Sequence, residues 1–387
     1  MKDKTNFDKN LLAMLEEEKE RQRSENNFIA SENFASLEVM SLCGSEFTNK
    51  YAEGYPGKRY YNGCAQYDHM EEHGIGLVTQ LYKCKFANIQ PHSGANANLA
   101  IFKAFLKPGD KVLGMDLSAG GHLSHGSPAN LSGKWFDSHF YGVGKDGWID
   151  YVSLAAQALK LKPKIIIAGA SAYPRQINFR VFRDIANSVG AYLLVDMAHY
   201  SGLIAAGVYK SPLPYADFVT STTHKTLRGA RGGMILWNDE KYSKKINSAV
   251  FPGTQGGPLM NQIAGKTQSF FEALQPEFVS YSQNVVNMAK LMCEVFAAEG
   301  IKITTGGTDS HIILVHTGEK SGKEVADILE KEYNIVVNKN SIPDDPRGVW
   351  QTSGIRVGTA AMVTKKGADG AYFEDIAKKI SMVINDR

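Results

Sequence analysis

Two apolar runs decide what this chain can become. Lys164-Ile-Ile-Ile-Ala-Gly-Ala-Ser171 and Ala191-Tyr-Leu-Leu-Val-Asp196 carry apolar side chains at successive positions, without alternation. A strand that is apolar on both faces must be covered on both, as in a parallel sheet flanked by helices. Residues 179 to 189, between the runs, read as a helix. The unit is therefore β-α-β and argues for an α/β fold with a doubly wound, mostly parallel sheet. Ligands of such sheets collect in the crevice outside the carboxyl ends of the strands.

Two charged residues fall at that edge. Asp196 ends the second run, with His199 three positions on. Phe218 and Val219 form a further β-prone stretch, followed by the hydroxyls of residues 220 to 223, then His224-Lys225-Thr226 and a glycine-rich turn. A lysine just past a buried strand, close to Arg228 and Arg231, has its ammonium destabilised and is primed as a nucleophile. The alternative for Lys225 taken alone is a solvated loop lysine. Its placement at the same sheet edge as Asp196 favours chemistry. A carboxylate to pair with a pyridinium nitrogen and an amine to hold an aldehyde as a Schiff base are the two protein groups pyridoxal phosphate requires.

The bulk numbers narrow the field. A chain of 387 residues with 43% apolar content can build two domains of ordinary size. With 43 basic against 40 acidic side chains the balance is +3, so charge implies neither a nucleic-acid nor a membrane partner. Cys43, Cys64, Cys84 and Cys293 form no Cys-x-x-Cys pair, and free thiols in a reducing compartment, the cytoplasm, are the simplest account. The first residues lack the apolar core of a signal peptide, and no apolar run approaches the roughly 18 to 20 residues that span a bilayer. No metal site is expected.

Further candidates lie along the chain. Residues 8 to 23 suit an amphipathic helix with a narrow leucine stripe, lying on a surface such as a partner subunit's. In the polar cluster that follows, either Ser31 or Ser36 can cap a helix. Residues 49 to 63 hold four tyrosines among glycines and read as a binding loop, although Glu53 alone would pass for a solvated acid. Ser93-Gly94-Ala95 opens an apolar helix, and its free backbone N–H groups suit a phosphate. His122 follows two glycines, which let it approach a flat ligand closely, whereas His125 reads as structural. Ser171 ends the first apolar run and could equally bond the backbone. Residues 251 to 258 form a second glycine-rich loop, and 261 to 299 read as helical, leading into a smaller α+β domain. There, strands are expected at 310 to 316 and 335 to 340, with a helix at 322 to 332. Arg356 interrupts an apolar strand and demands a carboxylate partner, either an internal acid or a ligand.

Thr222-Thr-His-Lys-Thr-Leu-Arg-Gly229, with Asp196-Met-Ala-His199 and Gly202-Leu-Ile-Ala-Ala-Gly-Val208, resembles the serine hydroxymethyltransferase family of fold-type-I pyridoxal phosphate enzymes. The likeness runs from about Asn26 to Gly367. It implies reversible transfer of the serine hydroxymethyl carbon to tetrahydrofolate, giving glycine and 5,10-methylenetetrahydrofolate. The cofactor would be linked to Lys225, with Asp196 at its ring nitrogen, His199 at its phenolic oxygen, His122 stacked on its ring and Ser171 among its hydrogen-bond partners. The phosphate would meet Ser93, Gly94 and Ala95, together with Tyr51, Gly256 and Gly257 of a neighbouring subunit. Glu53 and Tyr61, also from the neighbour, would act at the hydroxymethyl carbon, while Ser31 and Arg356 would hold the substrate carboxylate. Leu117, Gly121 and Leu123 would lie near the folate, and His224 would serve specificity.

The resemblance also implies an arm (1 to 45), a large cofactor-binding domain (46 to 275) and a small domain (276 to 387), assembled as a homodimer or a pair of dimers. Asn96, Ala230, Trp350 and Ala360 depart from the family pattern, and the chain ends soon after Val383, short of a further terminal helix. A threonine aldolase would share the lysine and aspartate but lack the 51 to 61 loop and need no folate. A cofactor-binding protein without turnover is the other rival.

Overall fold

The computed structural model describes residues 7 to 386. Seven strands form the main sheet: β1 (Phe86–Asn88), β2 (Lys111–Met115), β3 (Asp137–Tyr141), β4 (Ile165–Gly169), β5 (Tyr192–Asp196), β6 (Phe218–Thr222) and β7 (Gly233–Trp237). Their spatial order is β1-β7-β6-β5-β4-β2-β3. Both apolar runs are central strands, and every residue of β4 is buried. The helix Phe179–Val189 joins them as expected, capped by the Asn178 side chain. The family's α/β class holds, with one difference in direction. β7 runs antiparallel to both β6 and β1, so Lys225 sits in a hairpin connection, not in a strand-to-helix loop.

Register brings the two charged residues to one edge. Gly169 lies opposite Asp196, and Asp196 opposite Thr220. The chain then leaves β6 after Thr222 and reaches Lys225 three residues later. Gly169 sits at φ +132°, and a Cβ there would meet the Asp196 carbonyl oxygen at 2.2 Å. No other residue type lets β4 pass that close to the acid.

The smaller sheet is antiparallel: β8 (Ile312–His316), β9 (Asn338–Asn340) and β10 (Gly354–Gly358), in the order β8-β10-β9. Three expectations need correction here. Residues 335 to 340 are two strands, because Ile335–Val336 pairs with Asn26–Asn27 and stitches the amino-terminal arm to this domain. The long helical segment is two helices, Met260–Ala273 and Pro276–Ala298, with Pro276 opening the second; proline is favoured in a first turn and excluded from an interior. The tyrosine loop contains a two-residue hairpin, Gly54–Tyr55 against Lys58–Arg59.

Helix Lys9–Ser24 buries none of its residues, and Leu11, Leu12 and Leu15 are exposed on it. The helix Gly370–Ile384 buries Phe373, Ile376 and Ile380. Among the described residues, no helix is long and apolar enough to cross a membrane.

Candidate active site

A cavity of about 360 Å³ lies at the carboxyl edge of β4, β5 and β6, and its sixteen lining residues include Ser31, Ser93, Gly94, Ala95, His122, His125, Ser171, Asp196, His199, His224 and Lys225. Ten of these were expected at the site. Ser36, not Ser31, caps a helix, accepting from the Val39 N–H at 3.1 Å, which leaves Ser31 to the cavity.

Asp196 is held by three groups. His125 Nε2 lies 2.9 Å from its Oδ2, Asn98 Nδ2 donates to the same oxygen at 2.9 Å, and the Ala198 N–H donates to Oδ1 at 3.0 Å. Asn98 is itself fixed by the Thr220 hydroxyl at 2.6 Å and donates to Ser124, whose hydroxyl meets His122 Nδ1 at 2.7 Å. Burial alone would raise the acid's pKa. The bond and charge of His125, with His122 and Asn98, outweigh it and keep the carboxyl well below the usual carboxylate range. The reading of His125 as merely structural is therefore corrected: it grips the acid and lines the cavity.

Burial pushes the Lys225 ammonium down to about 8; Asp196 opposes the shift, and Arg356 and Arg231 reinforce it. Arg228 has no part in this, since its guanidinium lies over the Tyr281 ring, 4.6 Å from the centroid. The backbone around Lys225 is pinned by Asn33, whose amide donates to the Lys225 carbonyl at 2.9 Å.

The helix start that the sequence offers as an anion cradle is present. Ser93 caps the helix Gly94–Phe105, its Oγ accepting from the Asn96 N–H at 3.1 Å and donating to Asn96 Oδ1 at 2.8 Å. A Cβ on Gly94 would stand 2.8 Å from Thr222 Cγ2, and one on Gly233 would stand 2.2 Å from the Ser93 carbonyl oxygen. The glycines before His122 also have a role within the chain. Gly120 has φ +104°, and a Cβ on Gly121 would meet the Met115 carbonyl oxygen at 2.1 Å. They let the chain fold back on β2 and carry the His122 ring into the cavity.

Three histidines of the cavity are kept neutral. Burial lowers His122 to about 4 and His224 to about 3, and drives His199 well below its ordinary value with help from Lys225 and Arg356. His199 Nδ1 lies 3.3 Å from His311 Nε2, the two rings stacked with an interplanar angle of 16°. His311 and Asn98 were missed in the sequence. Neither stood out: Asn98 lies in a helix that also holds Asn96 and Lys103, and His311 lies just before β8.

Arg356, central in β10, has no carboxylate against it among the described residues. Its Nη1 donates to the Ser171 carbonyl at 2.6 Å and its Nε to Asn338 Oδ1 at 3.0 Å. An internal acid is thus not its partner, and burial lowers its pKa to about 10.

Tyr51, Glu53, Tyr61, Gly256 and Gly257 do not line this cavity. They cluster with one another instead: a Cβ on Gly257 would meet the Tyr51 ring at 2.7 Å, one on Gly256 would stand 3.5 Å from Glu53 Oε1, and the Tyr51 and Tyr61 rings are 5.4 Å apart. Leu117 and Leu123 are half exposed and Gly121 is buried; none of the three lines the cavity. Trp350 is exposed with Lys339 over its ring, and Ala230 and Ala360 are buried.

The model of the serine hydroxymethyltransferase family matches residues 4 to 380. A protein named serine hydroxymethyltransferase from Wolbachia pipientis subsp. Culex pipiens (strain wPip) is 54% identical over 380 residues, covering 97% of this chain and 89% of its own length. One of the same name from Campylobacter hominis is 51% identical over 383 residues (98% and 92%). Another from Prochlorococcus marinus subsp. pastoris is 52% identical over 377 residues (97% and 88%). A buried amine, a carboxylate held ionised, an anion cradle and an unpaired guanidinium thus meet in a chain that belongs to the serine hydroxymethyltransferase family.

Proposed function

We propose that this enzyme interconverts L-serine and tetrahydrofolate with glycine and 5,10-methylenetetrahydrofolate, using pyridoxal phosphate held by Lys225. The observation that carries the reading is that Lys225 and Asp196 line one cavity at the sheet edge, the amine lowered to about 8 and the carboxylate kept ionised by its hydrogen bonds. The donor set fits the cofactor: a nucleophilic amine for its aldehyde, an anion for its ring nitrogen, N–H groups for its phosphate and the His122 ring for its face. When bound, pyridoxal phosphate supplies an electron-accepting ring that stabilises charge left at the amino-acid α-carbon.

The chain's own residues do the rest. Asp196 keeps a proton on the ring nitrogen, and the His125 and Asn98 bonds stop it rotating away. The N–H groups at 93 to 95, left free at a helix start, bind the phosphate. His199 is assigned to the phenolic oxygen, with its Nδ1 against His311 leaving the other ring nitrogen for the ligand. Arg356 is assigned to the serine carboxylate together with Ser31, which lines the cavity, and the Ser171 carbonyl orients Arg356. His224, neutral beside Lys225, restricts the amino acids admitted. Glu53 and Tyr61 are assigned to proton transfer at the hydroxymethyl group of a neighbouring subunit. Tyr51, Gly256 and Gly257 are assigned to the neighbour's phosphate. That all five cluster away from the cavity of their own chain supports a homodimer with shared sites. Leu117, Gly121 and Leu123 are assigned to the folate. The division at about residues 45 and 275 follows the same reading.

Serine cleavage measured with and without tetrahydrofolate tests the function. Folate stimulation is expected. Cleavage of serine or threonine indifferent to folate would favour an aldolase instead.

Arg356→Lys gives a second test. Lysine keeps the charge but cannot present two parallel N–H donors. Charge-assisted hydrogen bonds contribute about 1.5 to 3 kcal/mol, so KM for serine should rise roughly 10- to 100-fold, with the cofactor's absorbance unchanged. A KM within about twofold of the parent would show that the carboxylate binds elsewhere.

A further inference from the structure

Lys266 lies outside the cavity, on the helix Met260–Ala273, and is 1% exposed. A lysine so completely buried needs partners for its ammonium. Those it has are backbone carbonyls: Ile89, Gly233 at 3.2 Å and Pro91 at 3.4 Å. These carbonyls belong to the two segments that build the anion cradle. Ile89 and Pro91 lead from β1 to the cap Ser93, and Gly233 opens β7 and packs its Cα against the Ser93 carbonyl. The Gly233 N–H also donates to the Pro91 carbonyl at 2.9 Å.

Three carbonyl oxygens that converge in a dry space repel one another unless a cation sits between them. The opposing charge is close by. Glu71, equally buried, accepts from Gln90 Nε2 at 2.8 Å and from Arg59 Nη2 at 2.5 Å. Burial lowers the Lys266 pKa to about 7, and Glu71 and then Cys43 oppose that shift.

We propose that Lys266 is a positioning residue for cofactor binding: its ammonium gathers the Ile89, Pro91 and Gly233 carbonyls beneath the Ser93–Ala95 turn and so sets the N–H groups that receive the phosphate. This rests on the assignment of that turn to the phosphate of pyridoxal phosphate. Lys266 touches neither substrate nor reacting atoms.

A positioning role toward the phosphate has a signature that general destabilisation lacks. Apoenzymes of the parent and of Lys266→Met are titrated with pyridoxal phosphate and with pyridoxal, which has the aldehyde but no phosphate, following visible absorbance. Removing the ammonium that draws the three carbonyls together should weaken pyridoxal phosphate at least about tenfold, with pyridoxal binding within about twofold of the parent. Equal losses for both ligands, or no loss for either, would overturn the proposal. If Lys266→Met does not fold, Gly232→Ala serves: its methyl would press on Lys266 Cδ and Nζ from 3.0 Å, and a smaller loss confined to pyridoxal phosphate is expected. Unchanged affinity in that variant would count against the role. A parent apoenzyme that binds neither ligand would instead sink the cofactor assignment on which this rests.

Discussion

Asp196→Ala is expected to lose serine cleavage by roughly 10²- to 10⁴-fold, the equivalent of about 3 to 5 kcal/mol for a buried charge left without its partner. The cost falls on the reaction because the acid's environment is built to keep it charged. His125, Asn98 and the Ala198 N–H all engage the carboxylate, and their pull exceeds the burial penalty that would otherwise protonate it. A neutral side chain at 196 cannot hold a proton on a ring nitrogen. The fold should survive, since β5 remains buried through Leu193, Leu194 and Val195. Thermal melting of the variant separates a folding loss from a chemical one. Cleavage within about threefold of the parent, with an intact fold, would remove Asp196 from its assigned role.

The large sheet was legible in the sequence where strands are buried on both faces. Ile165–Gly169 and Tyr192–Asp196 read correctly because successive apolar residues leave no solvent face, and the helix between them has a clear polar side. Direction was not legible: Met234-Ile-Leu-Trp is as apolar as a parallel strand, yet it pairs antiparallel to β6, and only the ladder decides that. Residues 335 to 340 were merged into one strand because local pattern cannot see that Asn26 and Asn27 claim the first two positions.

In the site, residues at strand ends and helix starts were readable because topology gathers them at one edge. Lys225 and Asp196 follow from that rule, whereas for Ser93 and Ser171 it fixes the position and the resemblance supplies the role. His125 was misread, although it leaves the same edge as His122, because two histidines three apart give no sign of which grips the acid. Lys266 was invisible for another reason: a lysine on a helix looks solvated until neighbouring elements close over it. Glu53 and Tyr61 could be assigned only by resemblance, since nothing local gives either residue a role in the reaction.

Two lysines of this chain have strongly lowered pKa values, Lys225 at about 8 and Lys266 at about 7, so a depressed pKa does not by itself identify the nucleophile. Geometry separates them. Lys225 lines the cavity with Asp196, whereas the Lys266 amine is taken up by carbonyls on the far side of the cradle. Lys225→Ala, which removes the amine that holds the aldehyde, should therefore lose most of the serine cleavage and should retain no visible absorbance after dialysis. Borohydride reduction of the cofactor-loaded parent, followed by peptide mapping, asks the question most directly. A reduced pyridoxyl group on Lys225 is the expected result; the same group on Lys266 or any other lysine would contradict the account.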